Sequence, residues 1–141
     1  MNLNNYFEKY KDYGPIFIRL IIGFHLIYGT QDNVFSWERM LEFRDFLESR
    51  DVIFPLFAAH VSVYAQFICG ILFIVGGFIR YAAVVMIINF LSAIYIVHIG
   101  DTYPSMFPAL MMLSGSIYFL ISGAGKLSID YYLQNKKTVQ N

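Results

Sequence analysis

Residues 52–125 read VIFPLFAAHVSVYAQFICGILFIVGGFIRYAAVVMIINFLSAIYIVHIGDTYPSMFPALMMLSGSIYFLISGAG. Among these 74 residues, only Arg80 and Asp101 are of the types Asp, Glu, Lys or Arg. They divide the stretch into three apolar segments, Val52–Ile79, Tyr81–Gly100 and Thr102–Gly125. Each segment reaches the roughly 20 residues that a helix needs to cross a bilayer. The sequence therefore predicts three transmembrane helices in this stretch.

A fourth apolar run near Tyr13–Thr30 is interrupted by Arg19. An arginine at the centre of a spanning helix costs about 2.5–3.5 kcal/mol, and the surrounding Ile, Leu and Phe side chains offset that cost. A cleaved secretory signal peptide is the competing interpretation. The residues that follow, Tyr28–Asn33, contain no small-x-small cleavage site, so we expect this run to be retained as a transmembrane helix.

The composition supports an integral membrane protein. Hydrophobic residues make up 57% and charged residues 14% of the chain, whereas soluble domains carry roughly 25% charged residues. A single cysteine excludes a disulfide scaffold, and the spacing of Cys and His residues predicts no metal site. Ten basic residues balance ten acidic ones, so no net positive field would attract a nucleic acid as partner.

The predicted fold class is all-α: a polytopic membrane protein with an antiparallel bundle of four transmembrane helices in one domain, residues 1–141. The predicted spans are about 13–30, 53–79, 81–100 and 104–123, followed by a cytoplasmic tail at 126–141. With four crossings both termini lie on one side. That side carries six basic residues against three opposite, namely Lys9, Lys11, Arg80, Lys126, Lys136 and Lys137 against Arg39, Arg44 and Arg50. The positive-inside rule then predicts the bacterial inner membrane with cytoplasmic termini.

The hydrophilic segment between the first two spans predicts a short amphipathic helix outside the membrane, at about 36–48. Ser36 stands where an N-cap belongs and Glu38 lies in the first turn. Its apolar side chains share one broad arc: Trp37, Met40, Leu41, Phe43 and Leu47. One interpretation is an interfacial helix with its aromatic residues at headgroup level. The other is a lid over the outer mouth of the bundle.

The run Gly123-Ala124-Gly125-Lys126-Leu127-Ser128-Ile129-Asp130 resembles the closing signature of the DoxX family of small bacterial membrane proteins. Other positions agree in order: Arg19-Leu20, Gly23, Gly29, Gly70-Ile71-Leu72, Gly76, Arg80 and His98. The resemblance covers roughly residues 14–130 and implies a four-helix inner-membrane protein. The family often has a glutamate about where Gln66 stands, and a neutral amide cannot relay a proton.

Two functions follow from this resemblance and from the residues. The family is named for a subunit linked to thiosulfate:quinone oxidoreductase, and other members are associated with oxidative-stress systems. This implies an accessory redox subunit that holds a small amphiphile. The cofactor then expected is a quinone, with haem less favoured. We expect the subunit to have no catalytic activity of its own.

The alternative is a non-enzymatic assembly factor or scaffold, whose partner is another membrane protein or a second copy. A stripe of small and polar residues favours it: Ala58, Ser62, Gln66 and Gly70. A transporter is the third and least favoured hypothesis, because four spans without an inverted repeat are few unless the protein oligomerises.

The candidate ligand site lies in the outer half of the predicted bundle. His25, His60 and His98 fall on three different helices near their outer ends, and histidine can hydrogen-bond a quinone carbonyl or ligate haem iron. The sequence predicts a polar pocket at this level with Gln66 as its floor. The alternative is that water, backbone or neighbouring side chains satisfy these histidines.

Three further polar residues lie within the predicted spans. Arg19 is also a candidate ligand residue, and it either snorkels to the interface or faces the bundle interior. We expect Asn89 and Ser92 to hydrogen-bond between helices. No residue is predicted to be catalytic, because Cys69 is a lone thiol at membrane depth.

Overall fold

A computed structural model describes residues 3–139, and this part of the chain forms seven α-helices. They are α1 (Leu3–Glu8), α2 (Pro15–Phe35), α3 (Trp37–Glu48), α4 (Pro55–Val75), α5 (Ile79–Ile96), α6 (Tyr103–Ser122) and α7 (Ile129–Val139). The helices α2, α4, α5 and α6 are each long and apolar enough to cross a bilayer. The protein is therefore an all-α polytopic membrane protein, as the sequence predicts.

The four long helices pack in the cyclic order α2, α4, α5, α6, with the most extensive contacts between α2 and α4 and between α5 and α6. The backbones of α2 and α4 approach closely at Gly23 and Gly70. A Cβ added to Gly23 would lie 2.7 Å from the carbonyl oxygen of Gly70. Between the helices Phe73 and Phe119 are fully buried, with ring centroids 5.0 Å apart. Large apolar side chains on the outer faces of the same helices are exposed, as contact with lipid requires.

Long-range contacts define two ends of this assembly. The lower end contains the starts of α2 and α5, the ends of α4 and α6, and α7. The upper end contains α3 and the loop between α5 and α6.

At the upper end α3 packs on α4 and α2. The side chain of Ser36 accepts a hydrogen bond from the backbone N–H of Arg39 at 3.4 Å, which confirms the predicted N-cap. Met40 and Leu47 are buried against Ala59 and Val63 of α4, while Trp37 is exposed. The helix is therefore docked on the transmembrane helices through one face and keeps its tryptophan at the surface.

The helices differ from the predicted spans at their ends. α2 continues to Phe35, past the predicted end at 30, because hydropathy marks where the apolar residues stop and not where the helix stops. α4 ends at Val75 instead of 79, since Gly76 adopts the left-handed conformation with φ of 67° that favours glycine. α5 ends at Ile96 instead of 100. The predicted tail contains α7, which the hydropathy pattern does not indicate.

Asp130, at the start of α7, connects this helix to the turn between α4 and α5. Its carboxylate accepts hydrogen bonds from the backbone N–H groups of Phe78, at 2.7 Å, and Ile79, at 2.9 Å. Its own N–H donates to the carbonyl oxygen of Gly76 at 3.0 Å. A carboxylate at a helix N-terminus is favourable both as a cap and through the helix dipole. Asp130 therefore caps α5 from a residue 51 positions later in the sequence.

Candidate functional site

A groove of about 440 Å³ lies between α4 and α5 at the upper end, beneath α3. Most of its wall is apolar and comes from Phe43 and Leu47 of α3, Val52, and the facing sides of α4 and α5. Part of the wall is formed by small side chains, Ala58, Ala65 and Ala93. Pockets for small molecules typically have a volume of about 300–1,000 Å³ and a mostly apolar lining with a few polar groups. The groove has these properties.

Three polar side chains line the groove: Ser62 of α4, and Asn89 and Ser92 of α5. The Oγ of Ser62 accepts a hydrogen bond from Nε2 of Gln66 at 3.0 Å. The Nδ2 of Asn89 is buried and finds no acceptor among residues 3–139. The expectation that this amide donates to another helix is therefore wrong. Leaving a buried donor unpaired costs about 1–3 kcal/mol, and a rotation of the Asn89 amide toward the groove would let an acceptor on a bound molecule satisfy it.

A polar cluster connects the segment after α3 with the loop after α5, across the upper mouth of the groove. Nη1 of Arg50 donates to the carbonyl oxygen of Val97 at 2.5 Å, and Nη2 lies 3.8 Å from Oδ1 of Asp101. The other carboxylate oxygen of Asp101 lies 2.9 Å from Nδ1 of His98. Because Val97 also lines the groove, this cluster, which we call the upper latch, holds α3 over it.

The structure does not bring the predicted histidines together around one site. The ring of His60 packs between Trp37 and Tyr64, with centroid distances of 5.7 and 6.1 Å, and its Nδ1 lies 2.8 Å from the carbonyl oxygen of Leu56. His25 is exposed on α2, and His98 belongs to the upper latch. Gln66 contacts the site through Ser62, which is a wall residue of the groove. None of these four residues lines the groove itself.

Arg19 lies at the opposite, lower end and is 1% exposed. Its guanidinium donates to the carbonyl oxygens of Ala124 at 2.6 Å, Leu127 at 2.7 Å and Ile74 at 3.5 Å. A Cβ at Gly76 would overlap Nη1 of Arg19, so a glycine is needed at this position. Of the two alternatives for Arg19, the structure shows the inward-facing one. Its partners are the end of α4 and the loop after α6, and it is remote from the groove.

Some of the groove residues stand out in the sequence for other reasons. Ala58 and Ser62 belong to the small-residue stripe, while Asn89 and Ser92 stand out only as polar residues in an apolar span. The stripe divides in the structure, because Gly70 packs against Gly23 and only its upper part lines the groove. The sequence signal available was that polar residues on two successive spans lie at similar distances from their upper ends.

The groove offers a bound molecule apolar contacts and a few polar groups. Among the described residues, no three His, Cys, Asp or Glu side chains lie close enough to hold a metal ion. Cys69 is buried in the apolar core, where a thiol is inert. An apolar groove with one unpaired amide donor can hold a lipophilic molecule and orient it by an oxygen atom.

Comparison with known proteins identifies the family. Searches of curated proteins and of solved structures found no match to this chain. The family model described as DoxX matches residues 14–99, which include α2 to α5, and so contains every residue that lines the groove. The run Gly123–Asp130 lies outside the matched residues, and its role is read from the structure alone. A match over more than half of the chain confirms the resemblance, and the protein belongs to the DoxX family.

Proposed function

We propose that this protein is an accessory membrane subunit that holds a small amphiphile of the quinone class in the groove between α3, α4 and α5. The observation that carries the proposal is an apolar groove lined by Asn89, whose buried Nδ2 has no acceptor among residues 3–139 and would gain one from a ligand when the amide turns toward the groove. A quinone combines an apolar ring and tail with carbonyl oxygens, which are the acceptors that such a donor needs.

The groove residues fit a quinone. A volume of about 440 Å³ accommodates a substituted ring, and the exposed hydroxyl of Ser92 on the next turn of α5 offers a second donor. A bound quinone supplies the capacity to accept electrons from a partner enzyme. The chain's own residues bind the ring, orient it through Asn89 and shield it beneath Phe43 and Leu47.

Two of the residues predicted as ligands support the groove in this proposal without contacting the ligand. Gln66 donates to Ser62 and so directs that hydroxyl. His98 holds Asp101 toward Arg50 in the upper latch. We assign them positioning roles.

The redox association and the location come from the family and from the distribution of charge. The DoxX resemblance links such subunits to quinone-dependent and oxidative-stress systems. The excess of Lys and Arg at the lower end favours the bacterial inner membrane, with both termini in the cytoplasm. The groove then opens near the outer surface of that membrane.

A second candidate function is that of an assembly factor or scaffold. The side chains of Ala58, Ala65 and Ala93 in the groove wall are small, and small residues let another transmembrane helix approach closely. The occupant of the groove would then be a helix of a partner protein or of a second copy.

Quenching of tryptophan fluorescence tests the proposal, because Trp37 is the single tryptophan of the chain. It lies six residues from the groove residue Phe43, about 9 Å along α3. We expect decylubiquinone, titrated into the protein in detergent, to quench this fluorescence saturably. Asn89→Leu removes the donor and should weaken binding about 2- to 10-fold, the effect of one hydrogen bond.

Ser92→Leu and Ser114→Leu form a matched pair of variants. Both serines are exposed at membrane depth, but only Ser92 lines the groove. We expect Ser92→Leu to reduce quenching by filling the groove and Ser114→Leu to leave it unchanged. Linear, non-saturating quenching that is equal in all variants would contradict the proposal. Crosslinks from position 92 to another protein would favour the scaffold function.

A further inference from the structure

A second cavity, of about 370 Å³, lies at the lower end between the start of α5, the end of α6 and the start of α7. Its wall is about half polar, far more so than that of the groove. Its charged lining residues are Arg80, Lys126, Asp12 and Asp130, and Ser122 and Ser128 also line it. The two cavities lie at opposite ends of the molecule and share no lining residue, so this cavity is independent of the proposed quinone groove.

Among residues 3–139, Arg80 is the cation lining this cavity that pairs with no carboxylate. Lys126 is paired with Asp12 at 3.1 Å, and both carboxylate oxygens of Asp130 accept backbone N–H groups. Within the part of the chain that the structure describes, the guanidinium of Arg80 donates one hydrogen bond, from Nη2 to the carbonyl oxygen of Ile121 at 3.3 Å, which leaves the second N–H of Nη2 and the N–H of Nε without a protein partner. A guanidinium has five N–H donors, so most of them remain available to a ligand.

Gly123 keeps the guanidinium of Arg80 uncovered on the cavity side. A Cβ at this position would lie 3.5 Å from Nη2 and 3.6 Å from Nε of Arg80. Any side chain there would occupy the space in which an oxygen atom of a ligand contacts those two donors. Nη2 and Nε form one edge of the guanidinium fork, which matches two oxygens of a phosphate or carboxylate group.

The cavity lies at the level where lipid headgroups are found. Arg80 is the second residue of α5, and Ser122 is the last of α6. Neighbouring Tyr81 is 75% exposed, as is typical of tyrosines at a membrane interface. Besides Arg19, this end carries six basic residues and three acidic ones, Glu8, Asp12 and Asp130. Its field therefore attracts anions.

We propose that this cavity binds the phosphate group of an anionic phospholipid, with the Nε–Nη2 edge of Arg80 as the main contact. Basic pockets between helices near the membrane surface bind anionic headgroups in this way. The loop Gly123–Lys126 that forms part of the wall also supplies an acceptor to Arg19. Lipid binding thus stabilises the lower end of the fold.

The proposal is tested by thermal unfolding of the full-length protein in a mild detergent with three additives: phosphatidylglycerol, phosphatidylcholine with the same acyl chains, and inorganic phosphate. We expect phosphatidylglycerol to raise the Tm saturably, and more than phosphatidylcholine does. Arg80→Gln should need about tenfold more phosphatidylglycerol for a half-maximal shift, because it loses a charge-assisted contact. Lys136→Gln, an exposed cation of α7 outside the cavity, should respond like the wild type.

Equal shifts in Arg80→Gln, Lys136→Gln and the wild type would overturn the site, because they would show only a general attraction to the basic end. An Arg80-dependent shift of the same size with inorganic phosphate alone would overturn the lipid as the source. If Arg80→Gln does not fold, Arg80→Lys replaces it, with Lys136→Arg as its control. Arg80→Lys keeps the charge but lacks the fork, so phosphatidylglycerol should bind it more weakly than the control.

Discussion

At the scale of single residues, Arg19 shows how this protein accommodates a charge within a membrane-spanning helix. The guanidinium reaches three carbonyl oxygens that belong to the end of α4 and to the loop after α6. Carbonyl groups at helix ends carry partial negative charge, and they replace water as the partners of the cation. The sequence alone left two orientations open, because both need only that Arg19 lie near the start of its helix. The loop contacts decide between them.

Arg19→Leu should insert into the membrane as the wild type does but lose stability in detergent. The substitution leaves buried carbonyls without their donor, which costs about 1–3 kcal/mol for each unsatisfied group. Thermal unfolding in detergent measures the loss. Arg39→Leu is the control, since Arg39 is exposed and pairs with Glu42 of the same helix. An Arg19→Leu protein as stable as the control would mean that the guanidinium snorkels to the interface instead.

Lys126 gives the lower end a dependence on alkaline pH. The hydrogen bond from its Nζ to Asp12 raises the pKa of this lysine above the ordinary value of 10.5. A raised pKa in the folded state means that the pair stabilises the fold fully below 10.5 and is lost as the pH rises through the higher value. The Tm of the wild type should therefore exceed that of Lys126→Met at neutral pH, and the difference should vanish at strongly alkaline pH. A difference that persists unchanged there would contradict this role.

At the scale of helices, the contact between α2 and α4 depends on glycine. Without side chains at Gly23 and Gly70 the two backbones approach closely enough that an added Cβ overlaps the opposite carbonyl group. This packing fixes α4 against α2 on one side and leaves its upper half to face α5 across the groove. The position of the groove therefore follows from where the close contact lies.

Gly23→Ala should destabilise the protein by about 1–3 kcal/mol, the usual cost of overpacking. Gly29→Ala tests whether the effect is specific, because a Cβ at Gly29 meets nothing within 4 Å. It should raise stability by about 0.5–1 kcal/mol through helix propensity. Thermal unfolding of both variants in the same detergent provides the comparison. Equal effects of the two substitutions would argue against close packing at Gly23.

The cap that Asp130 places on α5 predicts a local effect. Asp130→Ala removes the acceptor of two backbone N–H groups and should cost about 0.5–2 kcal/mol. Hydrogen exchange should speed up at the amides of Phe78 and Ile79 more than in α3. Asp45→Ala is the control, because Asp45 is an exposed acid of α3. Unchanged exchange at residues 78 and 79 would show that α7 does not hold the start of α5.

At the scale of the whole molecule, the sequence predicts what depends on local composition. The lengths of the apolar segments predict four spans, and Ser36 predicts the start of α3. The lower-end loop and α7 escape prediction because their structure depends on contacts between residues far apart, such as Asp130 with Ile79. The groove cannot be predicted from the sequence for the same reason, since it forms only when α3 covers the gap between α4 and α5. The histidines are conspicuous as ionisable residues, yet the ring nitrogens of His60 and His98 lie near acceptors only four and three positions away in the chain.

Mass spectrometry of the molecules that copurify with the protein in a mild detergent tests the groove most directly. The account predicts that the wild type and Ser114→Leu retain a quinone and that Ser92→Leu loses most of it, because only Ser92 lines the groove. Equal retention of the quinone by Ser92→Leu, or its absence from all three proteins, would contradict the account.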